Sequence, residues 1–185
     1  MTGTTDIDVT STGNITLDNA GTNLGGAFSF NALNVTLVDT NTILLGNGTA
    51  AGVLDLKAAT AISQSGGTAL QVAGDTHLLA TGDIIVGNPT NTFGGTVDFK
   101  GANVSVADSS PLVLAASSAS GTLTLASGGS ITQIGTITAG NTTAAGNDIT
   151  LTDAGNDFAS FGALSGNNVN INQGGMVMFE LIENS

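Results

Sequence analysis

Short triplets of apolar, polar and apolar residues recur along most of the chain. Examples are Phe28-Ser29-Phe30, Val35-Thr36-Leu37, Leu54-Asp55-Leu56, Leu70-Gln71-Val72, Val97-Asp98-Phe99, Val104-Ser105-Val106, Leu123-Thr124-Leu125 and Val169-Asn170-Ile171. A period of two predicts strands with one face buried. Between the triplets stand Gly, Asn, Asp, Ser and Thr, which favour turns. No window keeps apolar residues at helical spacing over three turns.

The triplets sit inside longer repeats. Gly13-Asn14-Ile15-Thr16-Leu17 returns as Gly82-Asp83-Ile84-Ile85-Val86 and again as Asn147-Asp148-Ile149-Thr150-Leu151. Asn34-Val35-Thr36 returns as Asn103-Val104-Ser105, and Ile62-Ser63-Gln64 as Ile131-Thr132-Gln133. Ile15 to Ile84, Val35 to Val104 and Gln64 to Gln133 are each 69 positions, and the third copy follows after 65. The long repeats are placed at about 13–80, 82–144 and 146–175, within one repeat domain over 1–175.

Strands of three residues are too short to build a sandwich core. They become stable when like strands stack in register along an axis, about 4.8 Å apart. Three short strands in a coil of about 20 residues would give some 7 to 9 coils. The predicted fold is all-β, a parallel β-helix. Its corners would use glycine for positive φ. Asn34, Asn103 and Asn168, at strand entries, would stack into hydrogen-bonded ladders between coils. The segment 176–185 breaks the pattern: Met176-Val177-Met178-Phe179 is apolar, and a terminal strand or cap is expected there.

Composition narrows the chemistry. Of 185 residues, 41% are hydrophobic and only 9% charged, which argues against a solvated disordered chain. Fourteen acidic side chains face two basic ones, both lysines, for a net charge of −12. Such a chain cannot neutralise phosphates, so nucleic acid is not an expected partner. No apolar run approaches the roughly 18 residues of a membrane-spanning helix, and no membrane insertion is expected. The absence of cysteine removes disulfides and thiolate sites. Met1-Thr2-Gly3-Thr4 lacks the basic and apolar regions of a secretory signal, which suits an initiator placed inside a longer natural chain.

The residues Gly101-Ala102-Asn103-Val104-Ser105-Val106-Ala107-Asp108, Leu112-Val113-Leu114, Gly121-Thr122-Leu123-Thr124-Leu125, Gly128-Gly129-Ser130-Ile131-Thr132-Gln133 and Asn156-Asp157-Phe158 carry a resemblance. The chain resembles the central repeats of filamentous-haemagglutinin-like adhesins, the exoproteins of two-partner secretion, over roughly residues 13 to 175. The resemblance implies a right-handed β-helical shaft, a location on the surface of a Gram-negative bacterium, and a role in adhesion or biofilm. Partners would then be glycans or proteins of a host or neighbouring cell. The family's amino-terminal secretion module has no counterpart here, since Asn88-Pro89-Thr90 does not match it.

No constellation points to catalysis. Asp6 with Asp8, and Asp153 with Asp157, are carboxylate pairs, but the chain has no Arg, Trp or Tyr to hold a sugar beside them. They are expected to be solvated turn residues, and the chain is not expected to be an enzyme. No cofactor is expected. The Gly-Gly pairs lack the Gly-x-Asp continuation of calcium-binding nonapeptides, which leaves only adventitious calcium at turns such as Asp148 to Asp157. His77, the single histidine, is expected at the surface. Asn14, Asn34, Asn47 and Asn141 begin Asn-x-Ser/Thr sequons, at a frequency near chance in so Asn- and Thr-rich a chain. Three Thr-x-Thr units, Thr122/Thr124, Thr136/Thr138 and Thr150/Thr152, are spaced by 14. A ladder of them would make a candidate ligand face for ice or glycan, but the outward positions elsewhere are Ser29, Thr36, Asp55, Gln71, Asp98 and Ser105, not a uniform rank, and the β-propensity of threonine is the preferred explanation. A non-enzymatic shaft is the leading expectation. Its alternatives are a ligand-binding solenoid and a filament subunit that stacks end to end.

Overall fold

The computed structural model describes residues 3–174. All regular structure among them is β. Twenty-one strands run from β1 (Thr5–Asp8) to β21 (Asn168–Ile171). Every pairing is parallel, and the strands stack into a β-solenoid of about nine coils. The terminal segment 176–185 lies outside the described residues.

Two main walls run along the solenoid, and between them a third, shorter stack passes from Gly48-Thr49-Ala50 through Leu70–Val72 to Thr92–Phe93. One wall stacks β2 (Ile15–Leu17), β4 (Val35–Asp39), β6 (Leu54–Ala58), β9 (Thr76–Ala80) and β12 (Thr96–Gly101). Beyond β12 the next coil meets this wall with two short strands, β14 (Leu112–Leu114) and β15 (Ser117–Ala119). The other wall begins with β3 (Ala27–Ala32) on β5 (Ile43–Ala50) and continues through β7 (Ile62–Gln64), β10 (Ile84–Val86), β13 (Val104–Asp108) and β16 (Leu123–Ser127). The expected triplets are these strands. Leu54-Asp55-Leu56 and Leu70-Gln71-Val72 each bury both outer residues and expose the middle one.

Inward residues fall on one another from coil to coil. Ile15, Val35, Leu54, Thr76 and Val97 form one such column, and every member is buried. The interior is narrow, so size must alternate. Phe30 fits because its partner in the next coil is Gly48, where a Cβ would lie 2.3 Å from the Phe30 ring. Two threonines enter this core: the Oγ1 atoms of Thr76 and Thr142 are buried and hydrogen-bond to no protein group.

The corners differ from expectation in their physical reason. Gly67 is the only described glycine with positive φ. Other corner glycines serve close approach. A Cβ on Gly95 would lie 2.5 Å from the Gly74 carbonyl carbon, and one on Gly74 would lie 2.8 Å from that of Gly52. Adjacent coils touch backbone to backbone here, and any side chain would force them apart.

Each of the three asparagines expected to form ladders makes a cross-coil hydrogen bond, but only Asn34 meets another asparagine. Asn34 donates to Asn14 Oδ1 at 3.0 Å and accepts from Val53 N–H at 2.8 Å. Asn103 and Asn168 donate in the same way to Asp83 and Asp148, each at 2.9 Å.

The long repeat and the coil do not share a period. Ile15 reaches Thr76 in three coil steps, through Val35 and Leu54. Its repeat equivalent, Ile84, lies eight residues further on, past a corner and on the other wall. Val35 in β4 and Val104 in β13 are exchanged between walls in the same way, as are Ile62 in β7 and Ile131 in β17 (Ile131–Gln133). One repeat therefore makes about 3.4 coils, three whole ones and eight residues of the 21 that separate Thr76 from Val97.

Candidate functional site

The repeat landmarks define polar fixtures inside the shaft. Gln64 and Asn91 exchange two side-chain hydrogen bonds, at 2.7 and 2.9 Å. Gln133 and Asn156 repeat the arrangement at 2.8 and 2.9 Å. Asn91 and Asn156 are fully buried. Asp39 and Asp108 form a second fixture. Asp39 accepts from Leu24 and Asn41 N–H at 2.8 and 2.7 Å. Asp108 accepts from Phe93 and Ser110 N–H at 3.3 and 2.8 Å. Burial raises the Asp108 carboxyl above the usual aspartate value, against the opposing pull of these N–H donors and the Ser110 hydroxyl. Each of these groups is hydrogen-bonded within the protein, and the bonds fasten coils together.

The three Thr-x-Thr units fall on three different strand stacks. Thr124 lies in β16 between Ser105 and Thr143, whose hydroxyl meets its own at 3.3 Å. Thr138 lies in β18 (Ile137–Ala145), between Ser118 and Asp157. Thr150 lies in β19 (Asp148–Leu151), between Thr132 and Asn170. Thr122 is tied to Asn103 Oδ1 through both its N–H and its hydroxyl, and Thr136 donates to Asp153 at 3.3 Å. Thr152 is exposed, and its carbonyl accepts from Asn172. The structure does not bring the six together. A spacing of 14 is not a coil length, so it carries each unit to another wall segment instead of along the axis.

It does assemble the chain's entire cationic inventory. Leu54-Asp55-Leu56-Lys57 and Val97-Asp98-Phe99-Lys100 share one pattern, and they occupy the same place in coils two steps apart. Between them runs Thr76-His77-Leu78-Leu79 of β9. Two outward rows result. One is Asp55, His77 and Asp98; the other is Lys57, Leu79 and Lys100, continued by Ser118 and Thr138. His77 Nδ1 is hydrogen-bonded to Asp98 Oδ1, which occupies the carboxylate nearest Lys100 along its strand. Neither lysine ammonium has a hydrogen-bond or ion-pair partner among the described residues.

The lysine row borders a shallow depression of about 540 Å³ whose floor is made of small residues, among them Ala58, Ala80, Gly101 and Ala119. A second depression, about 520 Å³, adjoins it on the Asp55–His77–Asp98 side and shares Leu79, Lys100, Ser118 and Thr138. The apolar-Asp-apolar-Lys pattern was the sequence signal for this site, but its two copies stand 43 residues apart and carry no meaning until the coils are stacked. Among the described residues, no three His, Asp or Glu side chains converge as metal ligands, and no helix is long and apolar enough to cross a membrane.

No curated protein and no solved structure matches the chain. A family of repeats does, over residues 32–100 and 101–165. The two matched lengths are the 69- and 65-residue periods found in the sequence, phased differently along it. They cover well over half of the protein, which therefore belongs to the family described as Repeats of unknown function (DUF5649).

Proposed function

We propose that the chain is a non-enzymatic structural segment, part of the shaft of a bacterial surface adhesin, that holds a binding region away from the cell. The observation that carries this is the unbroken parallel ladder through about nine coils. Each coil is fastened to the next by backbone hydrogen bonds and by side-chain fixtures repeated with the sequence. Load along such a rod is shared by many bonds in parallel. The buried polar groups of the fixtures are committed to that scaffold. The likeness to filamentous-haemagglutinin-like repeats supports the extracellular setting.

Antibodies raised against residues 3–174 test the location. They are expected to label intact cells of the source bacterium, and external protease is expected to remove the label. Labelling only after permeabilisation would refute a surface shaft. An in-frame deletion of the segment from its parent protein then tests the role. Reduced cell attachment with the adhesin still exported is the expected result, and undiminished attachment would count against it.

A further inference from the structure

We propose that the Lys57–Leu79–Lys100 row is a binding site for a linear glycan carrying carboxylates on every second sugar. The site lies on the shaft itself and does not rest on where the protein is displayed.

Charge comes first. The chain has two lysines, no arginine and one histidine against fourteen acids, yet both lysines stand on one row with His77 on the next. The repeat does not supply them. The equivalents of Lys100 are Asn31 and Ser165, and the equivalent of Lys57 is Ala126. In so acidic a protein an exposed lysine would ordinarily find a carboxylate, and neither ammonium has one among the described residues. His77 holds Asp98, so Lys100 remains open to an outside anion.

Spacing comes second. The lysines are two coils apart, a rise of about 10 Å at the usual strand separation. That suits carboxylates on alternate sugars of an extended glycan lying along the axis. Leu79 between them is 39% exposed and offers an apolar face to the intervening ring. Ser118 and Thr138 prolong the row with hydroxyls.

The surroundings select the chemical class. A ligand along this row crosses the strands, whose backbone groups are already used in the ladder. A peptide therefore gains no strand pairing here, while a glycan can use the side-chain hydroxyls. A densely charged polymer would meet Asp55, Asp98 and the field of a protein of net charge −12. Sparse carboxylates fit this setting better than runs of sulfate or phosphate.

Calorimetric titration of the purified protein at low ionic strength tests the proposal. The probes are a hyaluronan octasaccharide, its carboxyl-reduced form and an octaglutamate peptide. Saturable binding of the hyaluronan fragment alone is expected, weakening with added salt. The Lys57→Gln/Lys100→Gln double variant is expected to lose about tenfold in affinity. Both lysines are exposed and unpaired, so the variant should keep the parent's circular dichroism and melting temperature. The proposal is overturned if no probe binds, if the carboxyl-reduced or peptide probe binds equally well, or if the folded double variant binds hyaluronan undiminished.

Discussion

Gln64 and Asn91 face each other as complementary amides, 27 residues apart in sequence, each donating one hydrogen bond and accepting one. Asn91 Oδ1 also accepts from Leu70 N–H, and its Nδ2 also donates to the Val86 carbonyl. Asn156 repeats both extra contacts with Ile137 and Leu151. Replacing Asn91 by Leu strands several buried groups at once, at about 1–3 kcal/mol for each one left unpaired. Urea denaturation should show a large loss. The Gln64→Met/Asn91→Leu double variant should lose less than the sum of its singles; strict additivity would mean the pair does not act as a unit.

Thr76 and Thr142 invite the opposite experiment. Thr76 stacks between Leu54 and Val97, and Thr142 between Leu123 and Phe161. Valine keeps the branched shape and removes a buried hydroxyl that has no protein partner. Thr76→Val and Thr142→Val should each stabilise the protein by about 1 kcal/mol. A rise in melting temperature with unchanged far-ultraviolet circular dichroism is the expected signature.

Gly48 and Phe30 form a size pair in the core. Gly48→Ala places a methyl group 2.3 Å from the Phe30 ring and should cost about 1–3 kcal/mol, as overpacking does. Phe30→Leu makes room. The combined variant should be less destabilised than the two single losses predict, and thermal denaturation of all four proteins checks the cycle.

Asp108 makes a prediction in pH. Its carboxyl is raised above 3.8 by burial, so the folded state holds the proton more tightly than the unfolded chain. Its contribution to stability is therefore fully present below about pH 3.8 and is lost as pH rises through the folded value. Asp108→Asn cannot accept from both the Phe93 and Ser110 backbone groups, and it should cost about 1–3 kcal/mol. The gap between the parent and this variant should be widest in acid and should narrow towards neutrality. Asp75 runs the other way. The N–H and hydroxyl of Thr96 lower its carboxyl, so its contribution is present above about pH 3.8 and fades as pH falls through the folded value. Denaturation series across pH for Asp108→Asn and Asp75→Asn, each beside the parent, separate the two slopes.

The local features of the fold could be seen in the sequence. The triplets set the strands because burial alternates along them, except in the last, Val169-Asn170-Ile171, whose Val169 is exposed. The recurrence of Asn34, Asn103 and Asn168 marked cross-coil hydrogen bonds because a strand entry repeats its neighbour's geometry. Features that depend on coil-to-coil register could not be seen. Leu54 to Thr76 is 22 residues and Thr76 to Val97 is 21, while Val35 to Leu54 is 19. With steps so uneven, the lysine row appears only after stacking. The same unevenness made the regular spacing of the threonines look like a rank. The corner glycines were evident as turn formers, but their reason is contact with a coil about 20 residues away, which no local pattern records.

A repeat that is not a whole number of coils turns as it advances. A surface feature written once into the repeat is displayed on one face and then, one repeat later, well under half a turn further round. A tandem array thus winds its motifs about the axis, with no strip of identical features down one edge. Gain or loss of a single repeat would turn everything beyond it to face another direction as well as changing the reach.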